Sequence, residues 1–101
     1  MLKYKKSMIT ESSLHKNIRI SGRVQGVGFR YSARNMAGFF GVRGFVRNLP
    51  DGDVYIEAEG KPLQLEEFIN WCRQGPSRAR IDFIDVYDGE VMGFKGFEVR
   101  P

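Results

Sequence analysis

The chain has 101 residues, 42% of them apolar, and a formal charge of +4, which fits one domain with a modest hydrophobic core. Its single cysteine and single histidine, Cys72 and His15, exclude an internal disulfide and a zinc site, and no apolar run approaches the roughly 20 residues of a membrane span. Six arginines and no acidic residue lie between positions 17 and 47, so we expect an anionic partner to bind this segment.

Residues 1–16 show no sustained hydrophobic period and carry four lysines. We interpret them as a flexible basic tail, which places the domain at residues 17–101. His15 lies in this tail, and we interpret it as a solvated residue rather than as an acid–base catalyst. The segment lacks the apolar stretch of a signal peptide, and a lone cysteine suits a reducing compartment, so we expect a cytoplasmic protein.

Apolar and polar side chains alternate over residues 18–21 and Val24 extends the apolar face, which predicts a first strand. After a glycine-punctuated stretch, five apolar residues share one face of a predicted helix: Phe29, Ala33, Met36, Ala37 and Phe40. Residues 42–48 predict a second strand, and residues 49–52 predict a turn because they combine Pro, Asp and Gly.

The second half of the chain again predicts strands on either side of a helix. Residues 54–59 predict a third strand, and a second helix begins near Pro62. Its apolar stripe consists of Leu65, Phe68, Ile69 and Cys72. Residues 81–87 and 94–99 predict a fourth strand and a short fifth one. This order predicts an α+β fold, the ferredoxin-like βαββαβ sandwich, whose antiparallel sheet carries both helices on one face.

The stretch GRVQGVGFR, residues 22–30, runs from the first strand into the first helix. Glycines allow turns that bring successive N–H groups to one point, and a helix N-terminus adds unpaired donors and partial positive charge. The helix dipole opposes a cation such as Arg30 in the first turn, so a bound oxyanion would explain this residue. The loop thus indicates a phosphate site, although a tight turn beside a solvated arginine fits the loop alone equally well. Its spacing matches neither a P-loop nor the dinucleotide fingerprint.

A second polar element, GFVRN at residues 44–48, ends the second strand. An asparagine at the end of a strand is usually a turn former. The functional alternative uses the side-chain amide of Asn48, which cannot act as a base but can orient a water molecule by donating and accepting hydrogen bonds.

Together these residues resemble the acylphosphatase family. GRVQGVGFR at 22–30 is similar to the family's phosphate-binding loop, and GFVRN at 44–48, followed by Gly52, Val54 and Gly60, is similar to its second signature. The resemblance extends from about residue 17 to residue 100. It implies hydrolysis of the carboxyl–phosphate anhydride of small acyl phosphates, which yields a carboxylate and inorganic phosphate. It also implies that no metal or organic cofactor is used, and we expect a monomer.

The resemblance also assigns roles to individual residues. Arg30 matches the family's phosphate-binding arginine, and Asn48 matches the asparagine that positions the attacking water. The loop amides that hold the phosphate map onto Gln25, Gly26, Val27 and Gly28. The chemistry suits these groups because the carboxylate leaving group needs no proton at neutral pH, so positioning and charge stabilisation suffice.

Two alternatives belong to other classes of protein. RNA-recognition domains share the βαββαβ order, but residues 46–48 do not continue their aromatic strand signature, so we expect no nucleic-acid binding. The GVRG at residues 41–44 matches the GXXG of a KH loop, yet it lies where a strand begins. The second alternative is a regulatory domain that binds phosphate without turnover.

Overall fold

A computed structural model describes residues 12–101 of the chain, so most of the predicted tail, residues 1–11, lies outside the described residues. Five strands and two helices follow one another in the predicted order. They are β1 (Leu14–Arg23), α1 (Phe29–Phe40), β2 (Arg43–Asn48), β3 (Val54–Gly60), α2 (Pro62–Cys72), β4 (Arg80–Gly89) and β5 (Phe97–Val99).

The strands form one sheet in the order β4-β1-β3-β2-β5. The four strands of the βαββαβ unit pair antiparallel, as predicted. The short fifth strand pairs parallel with β2, so the five-stranded sheet is mixed. Its direction follows from the topology, because β4 and β2 run in opposite directions and the chain reverses between β4 and β5.

Both helices contribute to a single hydrophobic core against the sheet. The predicted helix stripes are confirmed, since Phe29, Ala33 and Ala37 of α1 are buried, while Met36 and Phe40 pack against the core. On α2 the buried residues are Leu65, Phe68, Ile69 and Cys72. The strands close the core with Ile18, Ile20, Val46, Val54, Ile56 and Ala58.

The N-terminal boundary of the domain differs from the prediction. Strand β1 begins at Leu14, so residues 14–16 belong to the sheet and not to a tail. The interpretation of His15 as a solvated residue is wrong, because its side chain is only 3% exposed and pairs with Glu59 and Glu57 at 2.7 and 3.1 Å. Hydrophobic alternation could not reveal this part of β1, since the side chain that it buries, His15, and the cross-strand partner Glu59 are both polar.

Glu59 is the fully buried partner in this cluster. It receives hydrogen bonds from His15 and from the backbone N–H groups of Met92, Gly93 and Phe94. Burial pushes the pKa of Glu59 upward, but these hydrogen bonds to the carboxylate outweigh it and hold the pKa below the ordinary value of 4.5. The carboxylate therefore ties the β4–β5 connection to the sheet.

This carboxylate makes the stability of the fold depend on pH. A carboxyl whose pKa is lower in the folded chain stabilises the fold above its ordinary pKa, and that contribution is lost as the pH falls through the lowered value. Glu59→Gln should therefore cost about 2–4 kcal/mol of unfolding free energy at neutral pH and less as the solution is acidified below about pH 4.5. Urea unfolding between pH 7 and pH 3 measures the cost at neutral pH and its decrease in acid, with Glu66→Gln on the exposed face of α2 as the control. A deficit that stayed constant with pH would contradict the prediction.

Candidate active site

The loop between β1 and α1 is shaped by two glycines with left-handed backbone conformation. Gly26 and Gly28 have φ angles of 74° and 79°, which side-chain-bearing residues rarely adopt. A Cβ atom at either position would meet nothing within 4 Å, so backbone conformation and not crowding favours glycine here. Gly28 occupies the N-cap position of α1, and within the described residues no side chain caps that helix. Its first N–H groups are therefore available to a ligand.

The other two predicted loop residues turn their side chains away from the loop opening. Val27 is buried in the hydrophobic core. Gln25 donates two hydrogen bonds of 2.8 Å from Nε2 to the backbone carbonyls of Leu49 and Asp53. These side chains anchor the loop, while Gly26 and Gly28 line its open side.

A cavity of about 150 Å³ brings the two sequence motifs together. Its lining consists of Val24, Gly26, Gly28, Phe29, Arg30, Tyr31 and Asn48. The two motifs line the same cavity because of the strand order. Strands β1 and β2 each run antiparallel to β3, which lies between them, so β1 and β2 are parallel to each other. The loop after β1 and the last residue of β2 consequently reach the same edge of the sheet.

The C-terminal segment holds the guanidinium of Arg30. Its Nη1 donates to the backbone carbonyl of Arg100 at 2.8 Å, and the N–H of Arg100 in turn donates to the carbonyl of Val46 on β2. Among residues 12–101, no carboxylate pairs with Arg30. Its positive charge is therefore oriented by a neutral carbonyl and remains available for an anion.

Asn48 is the last residue of β2, where its backbone pairs with Val54 of β3. The turn that follows is closed by hydrogen bonds from Leu49 N–H to the Asp53 carbonyl and from Gly52 N–H to the Leu49 carbonyl. In the part of the chain that the structure describes, neither a side chain nor a backbone group forms a hydrogen bond with the side-chain amide of Asn48. Both the donor and the acceptor of that amide are thus free to contact a ligand or a water molecule in the cavity.

Some contributors to the site were not identified from the sequence. Tyr31 lines the cavity with a half-exposed ring, over which the Arg34 guanidinium lies at 5.3 Å from the ring centroid. Because Tyr31 follows Arg30 directly and lies off the apolar stripe of α1, the sequence could have indicated that it lies near the site. The carbonyl of Arg100 had no such signal, because a backbone contact across 70 positions leaves no pattern in the sequence.

The described part of the chain contains no grouping of three or more His, Cys, Asp or Glu side chains arranged to hold a metal ion. Neither helix within residues 12–101 has the length and apolar character needed to cross a membrane. The cavity itself combines backbone donors, a guanidinium without an acidic partner and a neutral amide. This arrangement can hold an oxyanion and orient one water molecule next to it.

Comparison with known proteins identifies the family. The acylphosphatase family model matches residues 16–99. The chain is 49% identical over 83 residues to an acylphosphatase of Thermococcus kodakarensis, covering 82% of this chain and 91% of the relative. It is 45% identical over 84 residues to one of Nocardioides sp., covering 83% and 85%. The crystal structure of acylphosphatase from Bacillus subtilis superposes with a TM-score of 0.85 at 34% identity, over 87% of this chain and 99% of that chain. The predicted family and ferredoxin-like fold are thereby confirmed, and the chain belongs to the acylphosphatases, enzymes that hydrolyse acyl phosphates.

Proposed function

We propose that the cavity residues divide the hydrolysis of an acyl phosphate between binding and water positioning. The amides of residues 25–28 and the guanidinium of Arg30 hold the phosphoryl group, and the side-chain amide of Asn48 positions the attacking water. The observation that carries this proposal is that Arg30 and Asn48 line the same cavity, although 17 residues lie between them in the chain.

The reaction then proceeds as an in-line displacement at phosphorus. The water oxygen forms a bond to phosphorus while the bond between phosphorus and the acyl oxygen breaks, and the carboxylate leaves with that electron pair. The proton released by the water passes to a phosphate oxygen of the substrate itself. Loop amides and Arg30 stabilise the charge on the equatorial oxygens, where positioned donors have their largest effect.

The side chains that line the cavity support a mechanism without a protein acid or base. Within the described range 12–101, these side chains include no carboxylate, imidazole or thiol. A carboxylate leaving group is stable as an anion at neutral pH, so it needs no proton, and the water needs chiefly orientation. The amide of Asn48 suits this task because it donates and accepts hydrogen bonds without titrating.

The proposal extends to the oligomeric state of the enzyme, its need for a cofactor and its cellular compartment. We propose that it acts as a monomer, because the groups assigned to binding and to water positioning, namely the loop amides, Arg30 and Asn48, all lie within one domain of one chain. Amides and a guanidinium neutralise phosphate charge by themselves, which supports catalysis without a metal or organic cofactor. A single cysteine, buried in the core, is compatible with a reducing cytoplasm.

Hydrolysis of benzoyl phosphate by the purified protein tests these points. We expect the rate to be unchanged by a metal chelator and inorganic phosphate to inhibit competitively, because product and substrate share the phosphoryl site. Size-exclusion chromatography at the assay concentration should give the mass of one chain. A rate abolished by the chelator and restored by a divalent cation would contradict the cofactor-free mechanism.

A further inference from the structure

The side chain of Gln25 joins the two halves of the site from outside the cavity. Its Nε2 donates to the carbonyls of Leu49 and Asp53, both at 2.8 Å. Leu49 follows Asn48 directly, so the side-chain amide of Gln25 connects the phosphate loop to the turn that begins immediately after the water-positioning residue. We propose that Gln25 is a positioning residue that sets the distance between the bound phosphoryl group and the water held by Asn48. The inference rests on the roles proposed above for Arg30 and Asn48.

The two carbonyls that Gln25 contacts do not depend on it for their hydrogen bonding. The Leu49 carbonyl already accepts from Gly52 N–H, and the Asp53 carbonyl already accepts from Leu49 N–H. The turn is also held independently of Gln25, because Arg19 of β1 pairs with the carboxylates of Asp51 and Asp53. Replacement of Gln25 therefore leaves the turn formed and no carbonyl without a partner. What is lost is the direct link between loop and turn.

The chemistry of the contact specifies which substitutes can replace Gln25. Both partners are carbonyl oxygens, so the position requires a donor, and the nitrogen of the side-chain amide must face them. Gln25→Met keeps a similar length and shape but donates nothing. Gln25→Lys again offers several N–H donors at the end of an unbranched side chain. Gln25→Glu would place a carboxylate against two carbonyl oxygens and should be the most damaging of the three.

Steady-state kinetics with benzoyl phosphate tests the proposal on the full chain. We expect Gln25→Met to lower kcat by about tenfold or more, while the inhibition constant of inorganic phosphate changes by less than about threefold. Gln25→Lys should restore most of kcat. Gln74→Ala, at an exposed glutamine after α2, is the matched control and should leave both constants unchanged. Equal kcat values for the parent and Gln25→Met would overturn the proposal, as would a loss that Gln25→Lys does not relieve.

A double-mutant cycle with Asn48→Ala shows whether Gln25 acts through Asn48. If it does, Gln25→Met should cause little further loss of kcat in the Asn48→Ala background, because the water is already unpositioned. Fully multiplicative losses would overturn the proposal while leaving the role of Asn48 intact. If Asn48→Ala alone left kcat unchanged, the proposed role of Asn48 would itself fail, so the two failures are distinguishable.

Discussion

Arg30→Ala is expected to lower kcat/KM for benzoyl phosphate by about a thousandfold. Among residues 12–101, Arg30 supplies the only side-chain cation in the lining of the cavity, and no carboxylate competes for it. A guanidinium can bind two phosphate oxygens through parallel hydrogen bonds, and this contact strengthens as charge develops in the transition state. Arg30→Lys keeps the charge but not the planar fork, so a loss of about a hundredfold is expected.

The control for this prediction removes a positive charge elsewhere. Arg78→Ala alters the net charge by the same amount at an exposed position outside the cavity, and its kinetic constants should match those of the parent. Arg30 also donates to the Arg100 carbonyl, so thermal unfolding of Arg30→Ala should be recorded beside the rates. If Arg78→Ala lost activity as strongly as Arg30→Ala, long-range attraction of the substrate would explain the effect, and the proposed contact with phosphate would be wrong.

Asn48→Ala is expected to lower kcat by about a hundredfold to a thousandfold with little change in the inhibition constant of phosphate. The reason is that, in the proposed mechanism, the side-chain amide acts on the water, while the loop and Arg30 continue to hold the phosphoryl group. Asn48→Asp should weaken phosphate binding as well, because it places a carboxylate in the cavity that we propose to bind the phosphoryl group. Initial rates over a range of benzoyl phosphate concentrations, with and without phosphate, separate the two effects.

Asn70→Ala, at an exposed asparagine of α2, is the matched control and should be indistinguishable from the parent. The decisive quantity is the division of the loss between kcat and KM. A raised KM with an unchanged kcat would mean that Asn48 contributes equally to binding substrate and transition state. That result would contradict a role in positioning water.

The secondary structure was predictable because its signals are local. The apolar stripes of α1 and α2 recur at helical spacing, and β3 alternates with the period of a half-buried strand. The start of β1 lacked such a signal, since the buried side chain there, His15, is polar and pairs with the buried carboxylate of Glu59. The parallel pairing of β5 was also not predictable from its own residues, because it depends on which edge of the sheet the strand joins.

The same distinction between local signals and long-range contacts applies to the candidate site. Two runs of residues, GRVQGVGFR and GFVRN, carry the identities of Arg30 and Asn48 and determined the family and the chemistry to expect, while the order of strands and helices along the chain predicted the fold class. Only the tertiary structure decided that these runs share one cavity, because β3 is inserted between β1 and β2 and makes their ends meet. It also decided that the Arg100 carbonyl orients Arg30 and that Gln25 bonds to the turn after Asn48. Such contacts join residues 24 to 70 positions apart, and their partners are backbone carbonyls, which every residue possesses. The pattern of side chains along the sequence therefore does not predict these contacts.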